Sequence, residues 1–113
     1  MYRRCDLVLL PFPYTDLSAT KRRPVLLLTD PDARGDFLAV QVTSQAGHTG
    51  ALPLHNADLS VGKFPKASFV RPEKLFTLNV SLIALRAGRF SEEAFGRVRS
   101  GICSALGCSG SPS

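Results

Sequence analysis

Five short apolar segments, each closed off by turn-forming residues, restrict this chain to a sheet. Leu7–Phe12, Pro24–Thr29, Phe37–Thr43, Ala67–Arg71 and Ser81–Arg86 are too short for packed helices and are bounded as strands are. Leu52-Pro-Leu-His55 reads as a further short strand at a sheet edge, because a proline within a run cannot donate to a ladder on both sides. The connections Pro13–Arg22, Asp30–Asp36, Ala46–Gly50 and Asn56–Lys66 are crowded with Gly, Pro, Asp and Asn, as turn geometry requires. None of them holds the crossover helix that parallel pairing demands, so the strands are expected to pair antiparallel. The 113 residues, 44% of them apolar, suffice for a single core. The expected fold is mainly β: a small antiparallel barrel or curved sheet with one C-terminal helix, in a single domain over residues 1–108 with a flexible tail at 109–113.

The helix announces itself by its ends as well as its period. Ser91 supplies an N-cap hydroxyl, and Glu92 and Glu93 place carboxylates against the positive end of the helix dipole. Phe95, Val98, Ile102 and Leu106 recur at three- and four-residue spacing, a stripe expected to pack on the sheet, and Gly107 is placed to end the helix. Gly96 and Gly101 each cost such a helix up to about 1 kcal/mol relative to Ala, so packing must hold it together.

Charge narrows the partners. Fourteen Lys and Arg against nine Asp and Glu leave a net charge of +5, which favours an anionic partner. Much of that excess sits early: Arg3, Arg4, Lys21, Arg22 and Arg23 face only Asp6 and Asp16 in the first 23 residues. No apolar run approaches the roughly 20 residues that span a bilayer, and Met1–Asp6 does not read as a signal peptide, so a cytoplasmic protein with no membrane association is expected. Cys5, Cys103 and Cys108 cannot all pair within one chain and read as reduced thiols. They stand far from His48 and His55, without the spacing of a zinc site, and no phosphate loop or dinucleotide fingerprint is present; no metal and no cofactor is expected.

Two places break the apolar pattern in ways that suit chemistry. In Phe37–Gln45, Leu38, Val40 and Val42 point one way and Ala39, Gln41, Thr43 and Gln45 the other, which sets Thr43 and Gln45 on a face apart from the main core. A solvated strand face produces the same alternation. The basic run Lys21-Arg22-Arg23 precedes Pro24, whose ring biases Arg23 toward extended backbone and launches its guanidinium from a stiff strand entrance. A guanidinium so held suits bidentate phosphate contact, although basic runs are commonly only solvated. His48, in the loop Gly47-His-Thr-Gly50, is the residue type for proton transfer near neutral pH, and equally a common loop bystander.

Taken together, Asp6-Leu-Val-Leu-Leu-Pro-Phe-Pro-Tyr-Thr-Asp-Leu-Ser18, Lys21-Arg-Arg-Pro-Val-Leu-Leu-Leu28, Val40-Gln-Val-Thr-Ser-Gln45 and Lys66-Ala-Ser-Phe-Val-Arg-Pro-Glu-Lys-Leu-Phe-Thr-Leu78 resemble the MazF/PemK-like family. The likeness runs in order over about residues 4–90. It implies a small SH3-like barrel that forms a homodimer. It implies a toxin of a type II toxin–antitoxin pair, a metal-independent endoribonuclease of single-stranded RNA that is neutralised by a cognate acidic antitoxin and binds DNA with it. By the same resemblance the catalytic arginine before proline falls on Arg23 and the strand-end threonine on Thr43, with Lys21, Arg22, Ser44, Gln45, His48 and Lys74 as substrate contacts. The implied reaction is attack by the ribose 2′-hydroxyl to leave a 2′,3′-cyclic phosphate and a 5′-hydroxyl.

The sequence departs from the pattern twice: Cys5 stands where the family has Gly, and the loop Asp16–Thr20 lacks the Glu of some members. Arginine, which holds its proton far above neutral pH, is a poor base. Arg23 is therefore read as stabilising charge, and the proton acceptor lies among Arg23, His48 and solvent. Two other readings fit the same fold: a toxin that inhibits DNA gyrase by binding, and a non-catalytic SH3-like nucleic-acid-binding module.

Overall fold

A computed structural model describes residues 1–11 and 22–108. The last residue of the first expected strand, Phe12, the loop 13–21 with Lys21 and Asp16, and the tail 109–113 lie outside the described residues. The strands are β1 (Asp6–Pro11), β2 (Arg22–Leu27), β3 (Asp36–Thr43), β4 (Leu52–Leu54), β5 (Leu59–Val61), β6 (Ser68–Asn79) and β7 (Leu85–Phe90), followed by the helix α1 (Glu92–Leu106). They form one antiparallel sheet in the order β4-β6-β3-β2-β1-β7-β5. β4 sits at one edge, as its proline requires.

Successive residues of the central strands feed opposite faces, and both faces are covered. Leu7, Leu26, Val40, Val42 and Val70 join Leu54 of β4, Leu59 of β5 and the helix residues Phe95, Val98 and Ile102 in one cluster. That the two outermost strands share a core shows how far the sheet curls: it is a half-barrel with α1 laid across it. Val8, Leu10, Val25, Leu27, Phe37, Ala39 and Leu78 form a second cluster on the other face. Burial on both sides explains why Val25, Leu26 and Leu27 run on without alternation, all three fully buried. It also corrects the reading of β3. The face of Ala39 is core along half the strand and turns polar only toward Gln41 and Thr43.

Three element boundaries differ from expectation, each for a local reason. β6 runs on to Asn79, because a bulge absorbs Pro72: Gln41 pairs with Arg71 and Val40 with Leu75, so Pro72-Glu73-Lys74 is extruded from the ladder that Pro72 cannot join. The expected strand Ser81–Arg86 is instead a 3₁₀ turn at Val80–Leu82 followed by β7, since the Asn79 side chain accepts the Ser81 amide and curls the chain. The expected loop Asn56–Lys66 contains another 3₁₀ turn, Asn56–Asp58, and β5. In α1 the Ser91 hydroxyl accepts the Ala94 amide at 3.1 Å, and Gly107 closes the helix at φ 75°. The apolar stripe ends at Ile102; Leu106 overshoots the sheet and is exposed.

The buried carboxylate of Asp6 ties the two halves of the sheet together. Arg89 of β7 donates to it at 3.0 Å, Arg86 lies at 3.3 Å, and the Arg3 amide donates at 3.0 Å. Cys5 next to it has φ 81°, a left-handed value otherwise taken among the described residues by glycines. The Cys5 amide donates to Leu27 and its carbonyl accepts from Phe90, so this strained residue joins β2, β1 and β7. Burial pushes its thiol pKa up, and the neighbouring Glu92 adds to the shift.

Asp6→Asn should lower unfolding stability by about 3–5 kcal/mol, the usual cost of breaking a buried ion pair, whereas Arg86→Ala, at the exposed partner, should cost under about 1 kcal/mol. Urea denaturation of the two variants checks this; equal losses would show that Arg86 carries the anchor.

Candidate functional site: a cationic cleft at the strand ends

β2 enters the sheet where β3 leaves it. Val25 pairs with Gln41 at the end of their ladder, and Arg23 and Thr43 each stand two residues beyond that pair on their own strands. Both side chains line one cavity of about 500 Å³ whose floor is apolar: Leu7, Leu9, Pro24, Val42 and Ala87. Ser44 and Gln45 continue the wall from Thr43. Thr43 Oγ1 accepts the Gln45 amide at 3.1 Å, which orients the hydroxyl and leaves its proton to donate elsewhere.

The far wall is Lys63-Phe64-Pro65-Lys66. Four contacts hold it in place. Gly62 has φ 91° and lies so close to β7 that a Cβ there would meet the Ala87 carbonyl oxygen at 2.6 Å. The Phe64 amide donates to Asn56 Oδ1 at 2.8 Å, and its ring meets Phe90 edge-on, with centroids 6.2 Å apart. The buried Ser68 hydroxyl donates to the Lys66 carbonyl at 2.9 Å. Arg22, Arg23, Lys63 and Lys66 therefore bring four cations to one cleft, and among the described residues no carboxylate lines it. The five salt bridges among the described residues all use other arginines: Arg4, Arg71, Arg86, Arg89 and Arg97. A concave surface whose four cations no described carboxylate neutralises, over an apolar floor, suits an anion that carries flat apolar groups, which is the chemistry of a nucleic-acid strand.

A family model for the PemK-like, MazF-like toxin of type II toxin–antitoxin systems matches residues 3–106. The chain belongs to this toxin family. No curated protein matches it by sequence. Among solved structures, the chain is similar to a MazE–MazF complex from Deinococcus radiodurans, with 25% identity, TM-score 0.71, and 96% of this chain and 100% of that chain covered. It is similar to MazF alone from the same organism at 26% identity and TM-score 0.69, covering 95% and 99% of the two chains. It also shares the fold of a mycobacterial endoribonuclease crystallised with its cognate antitoxin, at 17% identity and TM-score 0.73, covering 98% and 100%.

Of the residues singled out in this toxin's sequence, Arg22, Arg23, Thr43, Ser44 and Gln45 meet in the cleft. Lys21 lies outside the described residues. His48 and Lys74 do not line the cavity. His48 stands in the turn after β3, its carbonyl accepting the Ala51 amide at 3.2 Å. Lys74 is exposed on the β6 bulge beside Glu73. The Glu73 carboxyl is held below its ordinary range by a bond from its own backbone amide and by Arg71, 2.9 Å away. Sequence reasoning passed over Lys63, Phe64 and Lys66, which it left in a loop. The signal was there to read: two lysines bracketing an aromatic residue, directly after a glycine.

Because Gly62 combines a left-handed φ with backbone contact, Gly62→Ala should cost at least the upper end of the roughly 1–3 kcal/mol of φ strain, about 3 kcal/mol or more in all, and should free the Lys63–Lys66 wall. A denaturation midpoint like wild type would show that the close approach to β7 is dispensable.

Proposed function

We propose that this toxin is an endoribonuclease that cuts single-stranded RNA without a metal ion. The observation that carries the reading is the convergence of Arg23 and Thr43 in one cationic cleft. In-line attack by a 2′-hydroxyl on the adjacent phosphorus builds negative charge on the phosphoryl oxygens. Arg23 offers a fixed, planar cation to those oxygens, and the oriented Thr43 hydroxyl offers a hydrogen-bond donor. The bond to the 5′-oxygen of the next nucleotide breaks, leaving a 2′,3′-cyclic phosphate and a 5′-hydroxyl. A guanidinium is a poor base, so the role of Arg23 is electrostatic, and the reading gives no side chain the part of general base. Arg22, Lys63 and Lys66 neutralise flanking phosphates, with Phe64 beside them as an apolar surface for a base. Lys21, Ser44, Gln45, His48 and Lys74 complete the expected contacts.

The family and the antitoxin-bound neighbours support a cognate antitoxin as partner, and the chain's +5 charge suits an acidic one. The working unit is read as a cytoplasmic homodimer. Among the described residues no helix is long and apolar enough to cross a membrane.

Purified protein incubated with mixed single-stranded RNA and excess EDTA should release fragments ending in 2′,3′-cyclic phosphate. The described residues hold no group of three His, Cys, Asp or Glu side chains that could cage a metal. Loss of cleavage in chelator with recovery on adding Mg²⁺ would overturn the metal-independent reading. No cleavage under any condition, with inhibition of gyrase supercoiling instead, would favour the binding toxin.

Arg23→Ala and Thr43→Ala should each retain the wild-type circular dichroism spectrum and lose about 100-fold or more in cleavage rate, the usual effect of deleting one donor to a developing oxyanion. Full activity in either variant removes that residue from the site.

Affinity for an RNA with a 2′-deoxy sugar at the cut position should fall with salt, and Lys63→Ala or Lys66→Ala should each flatten the log–log slope by about 0.7. Such a loss should weaken all sequences alike. An unchanged slope in the double variant would place the strand elsewhere, and the same titration on Lys74→Ala tells whether the strand reaches the β6 bulge.

A further inference from the structure

The end of α1 carries a feature that RNA cleavage does not use. Cys103 lies in the last full turn of the helix, and Cys108 is the second residue beyond it. Gly107, at φ 75°, turns the chain back over the helix, and the Cys108 amide donates to the Cys103 carbonyl at 2.9 Å. This backbone closure is the one that brings the side chains of its two bonded residues against each other, a contact commonly filled by apolar residues. Here the two residues at those positions are cysteines, both with free thiols. An amide and a carbonyl so bonded keep their Cα atoms within about 7 Å, and disulfides span Cα separations of roughly 4.4–6.8 Å. Both residues are exposed, whereas Cys5 is fully buried. Gly107 has open space around it, so the turn has room to tighten.

We propose that Cys103 and Cys108 are a reversible dithiol–disulfide site, oxidised by low-molecular-weight disulfides to an internal bridge that staples the C-terminal turn of α1. The thiolate of one cysteine attacks a sulfur of the small disulfide; that S–S bond breaks, and one small thiol leaves. The second cysteine, as thiolate, attacks the mixed disulfide; the Sγ–Sγ bond forms, and the second small thiol leaves. The protein loses two electrons and two protons, and the small disulfide gains both to become two thiols. The neighbouring Cys103 pushes the Cys108 thiol above its ordinary range, so exchange should quicken as pH rises from 7 toward 9. The bridge closes a ring confined to the helix terminus, and Ile102, next to Cys103, is buried in the core, so the staple should protect the last turn from fraying.

The experiment treats the full-length protein with glutathione disulfide and follows intact mass and tryptic peptides without reduction. The expected product is the native mass less two hydrogens, with a Cys103–Cys108 linkage, unmodified Cys5 and reversal by dithiothreitol. Cys103→Ser and Cys108→Ser should each stop at a glutathione adduct on the remaining thiol, because the resolving partner is gone. Amide exchange at residues 103–107 should slow in the oxidised protein and stay unchanged in the two serine variants. A persistent glutathione adduct in the wild type, or a bridge between two chains in place of the internal one, would overturn the proposal. These readouts do not involve RNA, so they stand or fall apart from the nuclease reading.

Discussion

A single buried carboxylate, Asp6, holds the frame on which the cleft is built. Its ion pair with Arg89 and its bond from the Arg3 amide tie the start of β1 to β7. A carboxylate this deep stays charged at tolerable cost only because those partners are there. The β7 register that follows puts Ala87 and Gly88 against Gly62, and that approach aims Lys63–Lys66 at the strand ends opposite. Arg23 and Thr43 come from β2 and β3, two and three strands away from β7. The cleft is thus a gap spanned by the sheet, and a slip at the anchor would move one wall without the other.

Two-sided burial serves the same end. A sheet with one wet face would leave its strand ends free to splay, but here an apolar cluster on each side clamps β1, β2 and β3. At the C-terminal end of β3 the polar residues Gln41 and Thr43 emerge where that double packing stops. The site lies at the boundary between packed strand and open loop, where backbone position is still rigid and side chains are exposed. A hydroxyl and a guanidinium held on such ends keep their geometry without being buried themselves, which is what charge stabilisation of a passing phosphate needs.

Much of this was legible in one dimension. β1, β2 and β3 appear as apolar runs at nearly their true limits, and the ends of α1 follow from Ser91 and Gly107, because caps and short runs are local matters. Arg23 and Thr43 could be named because each stands at a break in its own strand's pattern, and the family resemblance gave those breaks a meaning. β5 was not legible: three residues, Leu-Ser-Val, carry no period, and they are a strand only because β7 offers a partner edge. The bulge in β6 was half legible, since Pro72 forbids a continuous ladder but does not say that the strand resumes beyond it.

Order along the chain, strand character, the helix and an excess of positive charge belong to the sequence alone, since they rest on propensity, periodicity and composition. Which cations act together was decided by the tertiary structure. Lys63 and Lys66 are some forty residues from Arg23 and meet it only because the sheet curls and Gly62 lets two backbones touch. His48 and Lys74, no less eligible by residue type, stand outside the cavity because a turn and a bulge carry them away from it. Side-chain chemistry is written residue by residue, but proximity depends on backbone register and curvature, and those come from packing across distant segments.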